Sequence, residues 1–267
     1  MCAVVDNLFF REQGMAGVPM LVLHGLCGAS DNWLTIAAQL AARYHVYVPD
    51  ARNHARSPHA ATNTYQDMCA DVRNFMTLRG LNRAVIVGHS MGGKTAMLLA
   101  ARHPELVSRL LVLDIAPKNY LPDGHAEEHR RMLQLLATIE QRQFIRRADV
   151  EAFLAQYYNA QAMILFLLKS LCRDSGTGCF KCRHNVAVLL DSLDEIIGGV
   201  NEQWFDSLKP VNRLPVTFVR GELSPYISAS DEPVIRRIFP EAQFITLSGA
   251  GHWLHVDRPA ALMDVLM

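Results

Sequence analysis

Six short runs of β-branched and apolar residues punctuate this 267-residue chain, and what lies between them leaves few folds open. The runs are MLVLHG (Met20 to Gly25), HVYVPD (His45 to Asp50), AVIVGH (Ala84 to His89), LLVLDI (Leu110 to Ile115), VTFVRG (Val216 to Gly221) and QFITLSG (Gln243 to Gly249). Helical patterns alternate with them, as a mostly parallel sheet covered by helices requires, so the expected fold class is α/β. Each run closes in or beside Gly, Asp, His or Pro. Ligands of open α/β sheets bind outside the carboxyl ends of the strands, so these terminal residues are expected to converge on one rim.

Between Pro117 and about Asp206 the pattern changes. No convincing strand is predicted there, and long helical stretches follow one another, HAEEHRRMLQLLATIEQRQ and then RADVEAFLAQYYNAQAMILFLLKSL. An insertion of this kind at the strands' carboxyl ends would sit over the rim. The expected organisation is a core of residues 1–117 and 206–267 with a helical cap of residues 118–205.

Half of the residues are apolar, and 26 basic side chains balance 26 acidic ones. That balance leaves no electrostatic footprint for nucleic acid or an anionic membrane. Asp6 and Asn7 interrupt the apolar region a secretory signal would need, and AMILFLL (Ala162 to Leu168) is too short to span a bilayer. Cys2, Cys27, Cys69, Cys172, Cys179 and Cys182 are too sparse for a disulfide scaffold. Together these features predict a cytoplasmic protein without a membrane span; they are silent on oligomeric state.

Gly88-His89-Ser90-Met91-Gly92 fits G-x-S-x-G, with an apolar strand before it and a helical pattern after it. In that setting the serine sits on a strained strand-to-helix turn, and the flanking glycines leave room for the neighbouring strand and helix. A serine hydroxyl is a poor nucleophile until an imidazole takes its proton. His252 in LSGAGHWLHVDRP is the best candidate base, since it follows the last apolar strand after a Gly-rich turn; His255, a turn later, is expected to pack or face solvent. His24 is expected to orient the loop beside the site and His89 to sit inside the elbow, with His54, His103, His125, His129 and His184 at the surface or in local hydrogen bonds. An oxyanion needs two backbone N–H groups aimed at it, and Met91 and Leu26 are in position to supply them.

In chain order, LVLHGLCGA, VPDARNHARSP, GHSMGGKTAM and GAGHWLHVDRP resemble the α/β-hydrolase superfamily, and more narrowly the YbfF-type bacterial esterases. The resemblance covers the two core segments and is weaker across the cap. Many α/β-hydrolases carry their triad acid three residues beyond a Gly after the penultimate strand, where this chain, in VRGELSPYI, has Ser224. Two carboxylates remain as candidates: Glu222 in that loop, and Asp114 at the end of RLLVLDIAP. The YbfF-type resemblance implies Asp114, giving the order Ser90, Asp114, His252 expected on this fold. Two departures stand out: Ala55 occupies a loop position where family members often have Gly, and Met267 follows Pro259 closely, leaving a short final helix.

Cys172, Cys179, Cys182 and His184 resemble a Cys₃His zinc site only in part, because the spacing matches no common signature, and the simpler expectation is a turn with adventitious cysteines. Cys27 lies beside the oxyanion loop without an evident base. Lys94 is expected as a solvated or cap-pairing charge, while Arg52, Asn53 and His54 either shape the acyl pocket or fix their own loop. Phe153, Tyr157, Tyr158, Met163, Phe166 and Leu167 offer an apolar wall for an acyl group. The residues thus predict a serine carboxylesterase that needs no metal or organic cofactor, and the resemblance implies small esters, with acyl-CoA thioesters as a second class. Carbon–carbon bond hydrolysis or lactone opening by the same triad, and a non-catalytic ligand-binding scaffold, are the alternatives.

Overall fold

The computed structural model describes residues 4–267, so Cys2 lies outside the described residues. In chain order the core opens with β1 (Phe10–Gln13), β2 (Val18–Leu23), α1 (Leu34–Leu40), β3 (Tyr44–Pro49), α2 (Tyr65–Leu78), β4 (Ala84–His89), α3 (Met91–Arg102) and β5 (Val107–Leu113). The segment that follows carries α4 (His125–Arg142), α5 (Arg147–Leu154), α6 (Gln161–Lys169), β6 (Leu171–Arg173), β7 (Phe180–Cys182), α7 (Val186–Asp191) and α8 (Leu193–Gly198). The chain then returns through β8 (Val216–Gly221), α9 (Glu232–Ile238), β9 (Gln243–Leu247), α10 (Leu254–Asp257) and α11 (Pro259–Leu266).

Seven strands form one sheet in the order β1-β3-β2-β4-β5-β8-β9, parallel throughout except for β1 against β3. All six apolar runs read from the sequence are strands of this sheet. They read as continuous apolar runs because both faces are buried. In β4, Ala84 and Ile86 face one hydrophobic cluster while Val85 and Val87 face the other. Leu110 and Val112 of β5 alternate in the same way with Leu111 and Leu113. β1 escaped the sequence reading because FREQ is an edge strand, only partly buried and mostly polar.

The segment between β5 and β8 departs from expectation in two ways. It contains a strand pair, β6 with β7, built on three residues each. Asp174 closes that hairpin by accepting from the amides of Gly176 and Thr177, and Gly178 follows at φ 72°. The second expected long helix is also broken between Leu154 and Gln161, which lets α6 fold back against α5. α4 runs as predicted and buries Met132, Leu133, Leu135, Leu136 and Ile139, a helical stripe. Among the described residues no helix is long and apolar enough to cross a membrane.

Of the two expectations for Lys94, pairing with the segment between β5 and β8 holds and solvation does not. Its side chain is buried, and Nζ donates to the carbonyls of Lys118 (3.0 Å), Ile197 (3.0 Å) and Gly199 (2.5 Å). The first carbonyl leads out of the core into the inserted segment and the other two lie where it returns, so one ammonium in α3 ties both stems. Burial, with Lys118 as a second cause, pulls its pKa down to about 7, while the three carbonyls saturate its N–H donors. Lys94→Met would strip those carbonyls of their partner. Part of the loss is offset because no ammonium then has to be buried, and the net cost expected is about 2 kcal/mol. At roughly 2–4 °C per kcal/mol for a chain of this size, calorimetry should find Tm lower by about 4–8 °C, and an unchanged Tm would refute the tie.

Candidate active site

The rim of the sheet carries the site because two neighbouring strands break at the same level. His89 of β4 pairs with Leu113 of β5, and the next residue on each strand, Ser90 and Asp114, sits at φ 52°. Such left-handed backbone costs an L-residue roughly 1–2 kcal/mol, so the surrounding structure must impose it. The ladder holds both turns in place: the Ser90 amide donates to the Leu113 carbonyl (3.1 Å) and the Asp114 amide to that of Val219 (2.8 Å). The elbow glycines are obligatory for packing. A Cβ on Gly88 would lie 2.4 Å from the Gly92 carbonyl oxygen, and one on Gly92 would lie 2.3 Å from that of Leu23.

His252, in the turn after β9, directs Nδ1 to Asp114 Oδ2 at 2.8 Å. A carboxylate can only accept, so Nδ1 carries the proton and Nε2 keeps its lone pair. Asp114 is fully buried and takes two further bonds, from the Gly221 amide (2.9 Å) and from Ser224 Oγ. Ser224 thus stands where the resemblance led one to look for a carboxylate, and it donates to the carboxylate that β5 supplies instead. Glu222, the other candidate acid, is exposed and accepts from Gly249 N (2.7 Å) and Ser248 Oγ (2.8 Å), bonds that hold its carboxyl below the usual range. No contact joins it to His252 among the described residues.

Ser90 and His252 line the same cavity of about 550 Å³, between the sheet rim and the inserted helices. The structure records no hydrogen bond between them. Leu26, Ser90 and Met91 also share the wall of a smaller pocket beneath it. Neither the Leu26 nor the Met91 amide has a hydrogen-bond partner among the described residues, and Met91 opens α3, where the helix dipole favours negative charge. The Leu26 loop is braced from two sides. His24 accepts from the Ala51 amide at Nε2 (2.9 Å) and donates from Nδ1 to the Gly25 carbonyl (2.8 Å). Cys27, at φ 56°, accepts at its carbonyl from Ser170 Oγ of the inserted segment (3.4 Å). Burial pushes the Cys27 thiol well up, which disfavours the thiolate a nucleophile needs.

Other assignments need correcting or sharpening. His54 and His184 are buried; His54 makes the local hydrogen bond that was the other expectation, Nδ1 to the Arg52 carbonyl (2.8 Å), and the two rings follow His24 in a row with centroids 5.2 Å apart at each step. His255 packs as expected, stacked on Trp33 at 4.5 Å, and burial lowers its pKa to about 4. Arg52 and Asn53 fix their loop: Arg52 is ion-paired with Asp67 and Asp71, and Asn53 bonds Thr62 and, across to the inserted segment, Asn185. Ala55 takes the left-handed conformation (φ 45°) that a glycine would adopt freely. Of the expected acyl wall, Met163 and Phe166 line the cavity, whereas Phe153 and Leu167 are buried in the packing beneath and Tyr157 is exposed. Met132, Leu165 and Trp253 line it in addition. Cys172 and Cys182 lie on the β6–β7 hairpin, and no group of three or more His, Cys, Asp or Glu among the described residues could hold a metal ion.

Residues 18–259 match the family model described as the alpha/beta hydrolase fold. The chain belongs to the α/β-hydrolase family. Its curated relatives include an sn-1-specific diacylglycerol lipase of Mus musculus, 35% identical over 95% of this chain and 81% of that protein. Esterase YbfF of Escherichia coli is 30% identical over 93% of this α/β-hydrolase and 91% of its own length. A solved marine microorganism esterase superimposes with a TM-score of 0.92 at 38% identity, covering 97% of this chain and 98% of the other. This α/β-hydrolase is accordingly a serine hydrolase of the esterase and lipase type.

Proposed function

We propose that this α/β-hydrolase is a carboxylesterase working through Ser90, His252 and Asp114. The observation that carries the reading is the Asp114–His252 hydrogen bond, which leaves the Nε2 lone pair in the cavity that also takes the Ser90 hydroxyl. His252 removes the Ser90 proton as Oγ attacks the ester carbonyl, and the amides of Met91 and Leu26 receive the oxyanion. The imidazolium then protonates the leaving alcohol. A water deprotonated by His252 attacks the acyl-enzyme and releases the acid. Asp114 stays ionised throughout, holding the ring in one tautomer and supporting its transient charge.

Residues 118–205 serve as the cap, and its Met132, Met163 and Phe166 give the acyl chain an apolar wall. The relatives named as an esterase and a lipase support an ester substrate with an acyl chain. Acyl-CoA thioesters, which react by the same steps, are a second class. A fluorophosphonate probe should label Ser90, identified by peptide mapping, and p-nitrophenyl esters from acetate to palmitate should be turned over with a chain-length optimum set by the cavity. A folded protein that neither labels nor hydrolyses any of the series would defeat this reading in favour of a narrower carbon–carbon or lactone chemistry or a non-catalytic scaffold.

A further inference from the structure

One hydrogen bond from Nδ1 to Asp114 fixes a point on the His252 ring but leaves its tilt free. The tilt is held by a stack. The Tyr226 ring lies 3.9 Å from the imidazole centroid at an interplanar angle of 21°. His125, at the start of α4, lies 4.6 Å from the same phenol at 29°. Two rings so nearly parallel to Tyr226 and so close would collide on one face, so the phenol is sandwiched between them. Its backbone is fixed too: the Tyr226 amide donates to Ser224 Oγ (3.3 Å), itself bonded to Asp114, and its carbonyl accepts from Tyr120 Oη (2.6 Å).

Resting on the triad proposed above, we infer that Tyr226 is a positioning residue for His252, holding the imidazole in plane and supporting the imidazolium through its ring face, with His125 bracing it from the inserted segment. An aromatic face attracts a cation, and that attraction grows when water is excluded. The titratable groups around His252 leave little else to do this. Asp114 is the anion bonded to it, while His89 from β4, His125 and His129 from α4 and His255 from α10 all have pKa values lowered by burial and lie within electrostatic reach. Glu128 of α4 acts on Tyr226 itself.

The test compares Tyr226→Leu with Tyr226→Phe, because Tyr226 also lines the cavity and could matter only for binding. With p-nitrophenyl acetate, Tyr226→Leu should lower kcat about tenfold while KM changes by less than about twofold. The acidic limb of its kcat/KM profile should move about half a pH unit downward, since the imidazolium has lost support. Tyr226→Phe, which keeps the ring, should restore the wild-type limb. The same shift should appear in the His252 imidazole titration followed by NMR in a Ser90→Ala background, where no turnover is needed. A loss confined to KM, an unmoved or upward NMR midpoint, or a Phe variant as impaired as Leu would overturn the inference. Absence of Ser90-dependent turnover with the NMR shift intact would count against the esterase reading alone and leave the positioning role standing.

Discussion

Ser90→Ala should reduce kcat for p-nitrophenyl acetate by about 10⁶-fold, the scale on which serine proteases fail without their nucleophile. The hydroxyl is the only group removed. Ser90 sits at φ 52°, a conformation fixed by the ladder bond to Leu113 and by the contacts of Gly88 and Gly92, none of which involves the side chain. The variant should therefore fold with a Tm within about 1–2 °C of wild type, and circular dichroism would check it. Ester binding should persist, because the apolar cavity and the Leu26 and Met91 amides are untouched. A correctly folded Ser90→Ala retaining more than a few per cent of turnover would mean that another nucleophile or a directly activated water does the chemistry.

Asp114→Asn should cost about 10⁴-fold in kcat, as removal of the orienting acid does in the serine-protease template. The local geometry gives the reason. One carboxylate oxygen accepts from Gly221 N, and the other accepts from both Ser224 Oγ and His252 Nδ1. An asparagine that keeps its oxygen toward Gly221 must turn an N–H₂ group toward two donors. Ser224 can respond by rotating its hydroxyl, whereas His252 can respond only by moving its proton to Nε2, which ends its service as a base. Glu222→Gln is the matched control: Glu222 bonds only the β9 turn, so its change should leave kcat within about twofold, as a surface substitution does. The opposite pattern, with Glu222→Gln crippled and Asp114→Asn mild, would transfer the acid's role to Glu222.

What could be read in the sequence follows from what was local. β2, β4 and β5 announce themselves because both faces of each strand are buried, and Ser90 and His252 because each sits in a short motif beside a strand end. Asp114 was legible as a carboxylate at a strand end, but preferring it to Glu222 took a resemblance, since its bond to His252 spans 138 residues. β6 and β7 are too short to leave a periodic pattern, and the break between α5 and α6 falls in AQYYNA, which has no Gly or Pro to mark it. Lys94 was legible only as a choice between solvent and the inserted segment, because a lone lysine defaults to solvent and the carbonyls that satisfy this one lie 24, 103 and 105 residues away. The stack of His125, Tyr226 and His252 carried no signal, because rings brought together from separate parts of the chain have no sequence spacing. Ser224 did leave a trace, as a hydroxyl in the place of an expected carboxylate.

The Lys94 tie also sets terms for anyone exchanging parts between relatives. Because one ammonium grips the outgoing stem at Lys118 and the returning stem at Ile197 and Gly199, a transplanted segment meets the host at main-chain atoms that any sequence can supply. Grafts cut inside those three carbonyls keep the host's own acceptors on Lys94 and should seat on the scaffold, whereas grafts cut outside them must bring three carbonyls to the same places or leave a buried cation with too few acceptors. The splice points of a chimera are thus written into the helix that follows Ser90.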